Sequence, residues 1–260
     1  LNKVYFSHAN GFPAGSYNYL FKLLNNVQIN FIEKMGHGDY PLDKDLNNLA
    51  DELITSIEKE FIQPVIGIGH STGGVVTVLA ASKRPELFKK IIVLDPVLFS
   101  KRKRYLIWLF QKIGFTDWMK ITKQAINRRT HFSDLNKVRS IYRQKPLFKR
   151  FHHKCFDDYL KHGFIQSDDG VELAFSSKVE ADIFRYPQIK VPPNLDKLTG
   201  VLVYGKYSDT FWKSDVNWWR KHFSNFEIVS FEGRHLFPFE KPKETAKLIN
   251  KYLSKDIGNK

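Results

Sequence analysis

An α/β sandwich, with a mostly parallel central sheet flanked by helices, is the fold class this sequence predicts, on three observations. Short apolar runs alternate with helix-length segments over the first 97 residues, the pattern of strands joined by crossover helices. One of those runs, KKIIVLD at 89–95, is apolar on both faces in its interior, as strands covered by helices on either side usually are. The alternation stops after residue 97 and resumes at GVLVYG, 200–205, so a separate segment is inserted between two halves of one core.

In chain order, KVYFSH at 3–8 reads as the first strand and ends in the loop ANGFPAG. The helical stretch SYNYLFKLL follows, then a strand over 26–33 that leads into MGHGDYP. Over 42–61, Leu46, Leu49, Ala50, Leu53, Ile54, Ile57 and Phe61 recur at helical spacing and form a stripe that packs on a sheet. The strand PVIGIG at 64–69 runs into a serine, and GVVTVLAASKRP after it has helical length and stops near Pro85. KKIIVLD at 89–95 is the next strand. A structureless loop of the length of 98–195 would be improbable, so that segment is expected to be a helical cap. Strand GVLVYG, a Trp-rich helix around DVNWWRKHF, strand FEIVSF and the helix KPKETAKLINKYL complete the chain. The expected division is core 1–97, cap 98–195 and core 196–260.

With 260 residues and 42% hydrophobic content, the chain can bury a large core. The single cysteine, Cys155, excludes an intrachain disulfide framework and is read as structural. No apolar stretch approaches the length of a membrane span, and LNKVYFSHANG lacks a signal-peptide layout; the expected compartment is the cytoplasm. Net charge is +14, and residues 100–165 hold 17 Lys/Arg against four Asp/Glu. No finger, KH or RNP pattern accompanies this charge, so no specific nucleic-acid partner is expected. The basic segment is read as a solvated surface that could also attract anionic substrates or an anionic membrane surface.

GHSTG at 69–73 matches G-x-S-x-G. That spacing suits a tight strand-to-helix turn, in which a strained serine projects its hydroxyl from the sheet and small neighbours leave room. The context agrees, with a strand before Ser71 and a helix-length run after it. GIGHSTGG offers neither G-x-G-x-x-G nor a Walker lysine. A nucleophilic serine needs a base, and the base an orienting acid. His235, in the loop after FEIVSF, sits at the same sheet edge as Ser71. His8 and His70 are read as loop scaffolding. For the acid, Asp209 after GVLVYG is favoured; Asp95, ending IIVLD, is its rival. Oxyanion donors are expected from the backbone N–H of Thr72 and of Asn10, with Phe12 as the alternative register. Phe12, Phe211, Trp212 and Leu236 are pocket candidates by position, and aromatic residues such as Tyr105, Trp108, Phe115 and Trp118 are expected to supply the acyl pocket or the cap's own core. No metal site is expected, since His152, His153, Asp157 and Asp158 read as surface residues.

Taken in order, SHANGFP, GHGDYP, GHSTGG, YGKYSD and GRHLFPFEKP resemble the markers of a cap-bearing, serine-triad α/β-hydrolase of the esterase/lipase-like branch, over nearly the whole chain. One departure is HAN where many relatives carry HG. The resemblance implies the α/β-hydrolase fold, here with six or seven strands and a truncated edge. It also implies hydrolysis of a carboxylic ester or thioester, without a cofactor; the aromatic supply of the cap adds the expectation of a small-molecule acyl substrate with an apolar, medium-sized acyl part. Serine-dependent carbon–carbon hydrolysis and a non-catalytic ligand-binding role are the alternatives.

Overall fold

Parallel pairing runs through the whole central sheet of the computed structural model, which describes residues 1–255. Along the chain, β1 (Asn2–Ser7) and α1 (Asn18–Phe21) lead to β2 (Val27–Phe31), α2 (Asn47–Glu60), β3 (Val65–His70), α3 (Thr72–Lys83) and β4 (Phe88–Leu94). The next stretch holds α4 (Lys101–Lys112), α5 (Lys120–Ile126), β5 (His131–Phe132), α6 (Leu135–Gln144), α7 (Pro146–Lys149), α8 (His153–Gly163), β6 (Phe164–Ser167), β7 (Gly170–Leu173) and α9 (Ser177–Arg185). The core then resumes with β8 (Gly200–Gly205), α10 (Lys213–His222), β9 (Phe226–Phe231), α11 (Phe237–Glu240) and α12 (Pro242–Ser254).

Strand order across the sheet is β2-β1-β3-β4-β8-β9. From β1 the chain first steps outward to β2 and then returns to the other side of β1 as β3. Winding therefore reverses between β1 and β3, and the crevice at their carboxyl ends is where such sheets bind ligands. Alternation along β1 divides the core. Val4 and Phe6 join Ile66, Ile68, Ile92 and Leu94 on one face, while Tyr5 joins Val65, Ile91 and Val93 on the other, with α2 and α3. Helix α3 is buried from Thr72 to Ser82, as a helix apolar on all sides must be. Among the described residues no helix is long and apolar enough to cross a membrane.

The insertion is not purely helical. Strands β5, β7 and β6 form a small antiparallel sheet in that order. Its hairpin turns at Asp168 and Asp169, with Ser167 paired to Gly170. Gly170 has φ +154°, and a Cβ there would lie 2.1 Å from the Phe132 carbonyl oxygen, so glycine is required. Tyr142, Phe148, Phe151, Phe156 and Tyr159 are buried in the same cluster as Phe12 and Phe239 of the core. At about 1.5–3 kcal/mol for each large apolar side chain buried, this shared aromatic cluster fastens the insertion to one face of the sheet. Helix α4 is anchored differently, because Arg104 is its buried residue and Tyr105, Leu106, Trp108 and Leu109 stay exposed. Those side chains are therefore neither pocket nor internal core, contrary to the sequence expectation.

Candidate active site

Ser71 stands between β3 and α3 with φ 55° and ψ −119°, outside the ordinary regions for a residue with a side chain. Two glycines make the turn possible. A Cβ on Gly69 would lie 2.4 Å from the Gly73 carbonyl oxygen, and one on Gly73 would lie 2.1 Å from that of Ser7. The turn is pinned from the neighbouring strand, since Ser71 N–H donates to the Leu94 carbonyl at 2.9 Å. Sequence context and structure thus coincide at the serine.

His235 lies in the loop after β9, and its Nε2 is 2.9 Å from Ser71 Oγ. Its Nδ1 is 2.6 Å from Oδ2 of Asp95, so Nδ1 carries the ring proton and Nε2 faces the serine hydroxyl. The carboxylate that meets His235 is Asp95, and the assignment of Asp209 to that position is corrected. Asp95 is the first residue past β4, at φ 43°, and is fully buried. It also accepts from Gly205 N–H at 2.7 Å and from the Ser208 hydroxyl at 2.6 Å. Asp209 is four residues beyond β8. The turn before it is tied to β9 by Lys206 N–H to the Phe231 carbonyl and Tyr207 N–H to the Gly233 carbonyl, which carries Asp209 out to an exposed position. The segment YGKYSD therefore supplies donors to the carboxylate rather than the carboxylate itself.

Two other histidines hold the loops in place. His70 Nε2–H donates to the His235 carbonyl at 2.9 Å. Its Nδ1 is 2.7 Å from the Tyr17 hydroxyl, which in turn accepts from Ala9 N–H at 3.2 Å. One chain of hydrogen bonds thus joins the loop after β1 to the loop that carries His235. Burial pushes the His70 pKa down to about 3, keeping the ring neutral. His8 donates from Nδ1 to the Ala9 carbonyl at 2.9 Å and accepts Met35 N–H at Nε2, also at 2.9 Å. Burial lowers its pKa to about 4.

In the loop after β1, Phe12 N–H is spent on the Ala9 carbonyl at 3.1 Å, which removes the alternative register for an anion-binding donor. Asn10 N–H and Thr72 N–H have no acceptor among the described residues. The Asn10 side-chain amide donates to the Glu180 carbonyl at 2.9 Å, fastening the loop to α9.

Above Ser71 opens a cavity of about 1190 Å³, lined by the 9–12 loop, Ser71, His235, Leu236 and residues of the insertion. Of the four pocket candidates, Phe12 and Leu236 line it. Phe211 does not; it is buried between Tyr204 and Trp219 in the core on the α10 side. Nor does Trp212, which precedes α10, is 56% exposed and carries Lys103 Nζ 4.3 Å from its ring. Trp118 is the residue of the aromatic set from α4 to Trp118 that reaches the cavity. Sequence reasoning missed Ile121, Arg128, Leu147, Tyr159, Glu180 and Phe184 on the same wall, since nothing in their spacing links them to Ser71. Cys155 is buried, and burial pushes its thiol up to about 12. The four residues considered for a metal do not converge: Asp157 pairs with Arg139 and Asp158 accepts Tyr19 N–H.

A hydroxyl, an imidazole and a buried carboxylate in one hydrogen-bonded line can transfer the serine proton and stabilise the imidazolium that results. The comparisons agree on the setting of this arrangement. A family model described as the alpha/beta hydrolase family matches residues 4–248. A monoglyceride lipase of Rattus norvegicus is similar, 26% identical over 107 residues, covering 37% of this chain and 35% of the lipase. A probable alcohol acetyltransferase of Cyberlindnera fabianii is 22% identical over 251 residues, 89% of this chain and 65% of that protein. The matches thus span about a third and just under two thirds of these relatives. Among solved structures, an E-2-(acetamidomethylene)succinate hydrolase has a TM-score of 0.76 at 17% identity, covering 98% of this chain and 91% of that one; a likeness at that identity speaks to fold.

Proposed function

We propose, from the premise that the chain belongs to the alpha/beta hydrolase family, that it is a serine hydrolase cleaving a carboxylic ester or thioester through an acyl-enzyme. The observation that carries this reading is the continuous line from Ser71 Oγ to His235 at 2.9 Å and from His235 to Asp95 at 2.6 Å. Ser71 Oγ attacks the acyl carbon while His235 Nε2 takes its proton. Asp95 holds the imidazole in the tautomer that leaves Nε2 free to do so and stabilises the imidazolium. The oxyanion is received by the backbone N–H groups of Thr72 and Asn10, a type of contact worth about 10²–10³ in rate for each donor. His235 then protonates the departing alcohol or thiol. Water, deprotonated by the same nitrogen, releases the acid and restores the serine.

The names of the curated relatives, a lipase and an acetyltransferase, are in keeping with acyl chemistry at this serine. Initial rates on p-nitrophenyl esters from acetate to palmitate, for the wild type and Ser71→Ala, test the reading. Turnover that disappears in Ser71→Ala, together with the mass of a fluorophosphonate at Ser71 in the wild type, is expected. Turnover that persists in Ser71→Ala would overturn it.

A further inference from the structure

Helix α4 is built inside out. A surface helix turns its apolar stripe toward the core and its charges toward water. Here Arg104 is the buried residue; its Nη1 donates to the Phe99 carbonyl at 2.7 Å and its guanidinium lies 4.8 Å from the Trp218 ring. Lys103 also turns inward, its Nζ 3.6 Å from Oδ2 of the buried Asp215. Tyr105, Leu106, Trp108 and Leu109 are left facing out, Tyr105 with 62% of its surface exposed. Tyr105 and Trp108 are neighbours on the helix surface, and their rings stack at 5.5 Å.

The apolar surface continues to the mouth of the cavity. A ring contact of 5.1 Å between Phe110 and Phe115 carries it from α4 into the short turn before α5. Ile113 and Trp118 along that connection are 65% and 66% exposed. Trp118 and Ile121 are exposed and also line the cavity that holds Ser71. Nine of the 17 large hydrophobic side chains exposed among the described residues fall between 105 and 126. Scattered singly, such residues need no explanation; gathered at the rim of a cavity, they mark a surface that something covers.

Charge decides what covers it. Residues 101–126 hold seven Lys/Arg and one acid, Asp117, and Arg185 engages that acid. Lys101, Arg102, Lys112, Lys120 and Lys123 are exposed. Lys112 Nζ lies 5.9 Å from the Trp108 ring centroid and Lys123 Nζ 4.1 Å from that of Trp118, so cations and rings are interleaved. A second copy docking about a two-fold axis would set these cations against one another. A single-stranded nucleic acid would use the rings but would leave Leu106, Leu109, Ile113 and Ile121 without an apolar partner. An anionic lipid surface satisfies both sets: its headgroups meet the cations, and its acyl boundary takes the aromatic and aliphatic side chains.

We infer that α4, the turn after it and the start of α5 dock on an anionic phospholipid bilayer, with the mouth of the Ser71 cavity against the lipid. Esters held in the bilayer then reach Ser71 without crossing water. The docking goes beyond the serine-hydrolase reading and needs no turnover; the delivery of esters rests on that reading.

Binding is measured on Ser71→Ala, with vesicles of equal parts phosphatidylcholine and phosphatidylserine and with phosphatidylcholine alone. Partition is expected to be about tenfold or more tighter on the anionic vesicles, and lipids brominated in the acyl chain are expected to quench tryptophan fluorescence. Tyr105→Ser with Trp108→Ser, and separately Lys101→Glu with Lys112→Glu, are each expected to lower partition by about tenfold or more. None of these four residues lines the cavity, so with Ser71 intact both variants should cleave soluble p-nitrophenyl acetate as the wild type does, and p-nitrophenyl palmitate carried in anionic vesicles about tenfold more slowly. Partition unmoved in both variants, or binding without quenching by brominated lipid, would overturn the inference. A dimer in solution that Tyr105→Ser with Trp108→Ser dissolves, or tighter binding to a single-stranded oligonucleotide than to the anionic vesicles, would assign the surface to another partner and overturn it too. Intact vesicle binding with no turnover of either ester and no fluorophosphonate adduct at Ser71 would overturn the hydrolase reading and leave the docking standing.

Discussion

Acid should unfold this protein through two histidines that never touch a substrate. His70 and His8 are buried, and burial lowers their pKa values to about 3 and about 4, against about 6.5 for an unfolded chain. Below pH 6.5 the unfolded state therefore binds a proton at each ring that the folded state refuses. Their contribution to stability is complete above pH 6.5 and is lost progressively as pH falls from there toward the folded values. One pKa unit corresponds to about 1.4 kcal/mol, so each ring withdraws about 2 kcal/mol of stability between pH 8 and pH 5. Together they remove about 4 kcal/mol, a large part of the 5–15 kcal/mol typical of a folded protein. Urea unfolding followed by tryptophan fluorescence at half-unit steps over this range measures the slope. His70→Gln is the informative variant: its amide can accept from Tyr17 and donate to the His235 carbonyl, yet it does not titrate. Whatever it costs at pH 8, it should lose about 2 kcal/mol less than the wild type on going to pH 5. An unchanged slope in His70→Gln would refute the claim that a neutral, buried His70 links the two loops.

Two further outcomes are expected. Gly73→Ala places a Cβ 2.1 Å from the Ser7 carbonyl oxygen and should destabilise the protein by about 3 kcal/mol or more, the upper end for overpacking; a melting temperature within a degree of wild type would contradict the elbow packing. Exposed Tyr105, Leu106, Trp108 and Trp118 lie beside the lysines and arginines of α4 and α5, so we expect sedimentation with phosphatidylserine-containing vesicles that fades as salt is raised. Equal binding to purely zwitterionic vesicles at all salt concentrations would refute the electrostatic part.

Features written in consecutive residues were the legible ones. A strand, GHSTG and an apolar helix follow one another in the chain, so Ser71 and its strained turn could be read directly, as could His235 at the end of a strand. The acid could not be. Asp95 and Asp209 both follow apolar strands, and the choice between them depends on lateral order in the sheet and on the distance past the strand end. β4 lies between β3 and β8, with Asp95 immediately at its tip, whereas Gly205 at the end of β8 and Ser208 in the turn after it hold that carboxylate. The β6–β7 hairpin did leave a signal, Asp169-Gly170 between short alternating runs, hidden inside a segment read as helical. Arg128, Tyr142, Tyr159 and Glu180 left none, because residues from different inserted helices and connections meet only when the insertion folds onto the sheet.

The arrangement of Asp95, His235 and Ser71 is tested most directly by comparing Asp95→Asn with Asp209→Asn on the best p-nitrophenyl ester. Asparagine at position 95 preserves the shape but disfavours the useful imidazole tautomer, and kcat is expected to fall by about 10⁴, while Asp209→Asn stays within about threefold of wild type. A collapse of activity in Asp209→Asn with Asp95→Asn near wild type would contradict the account.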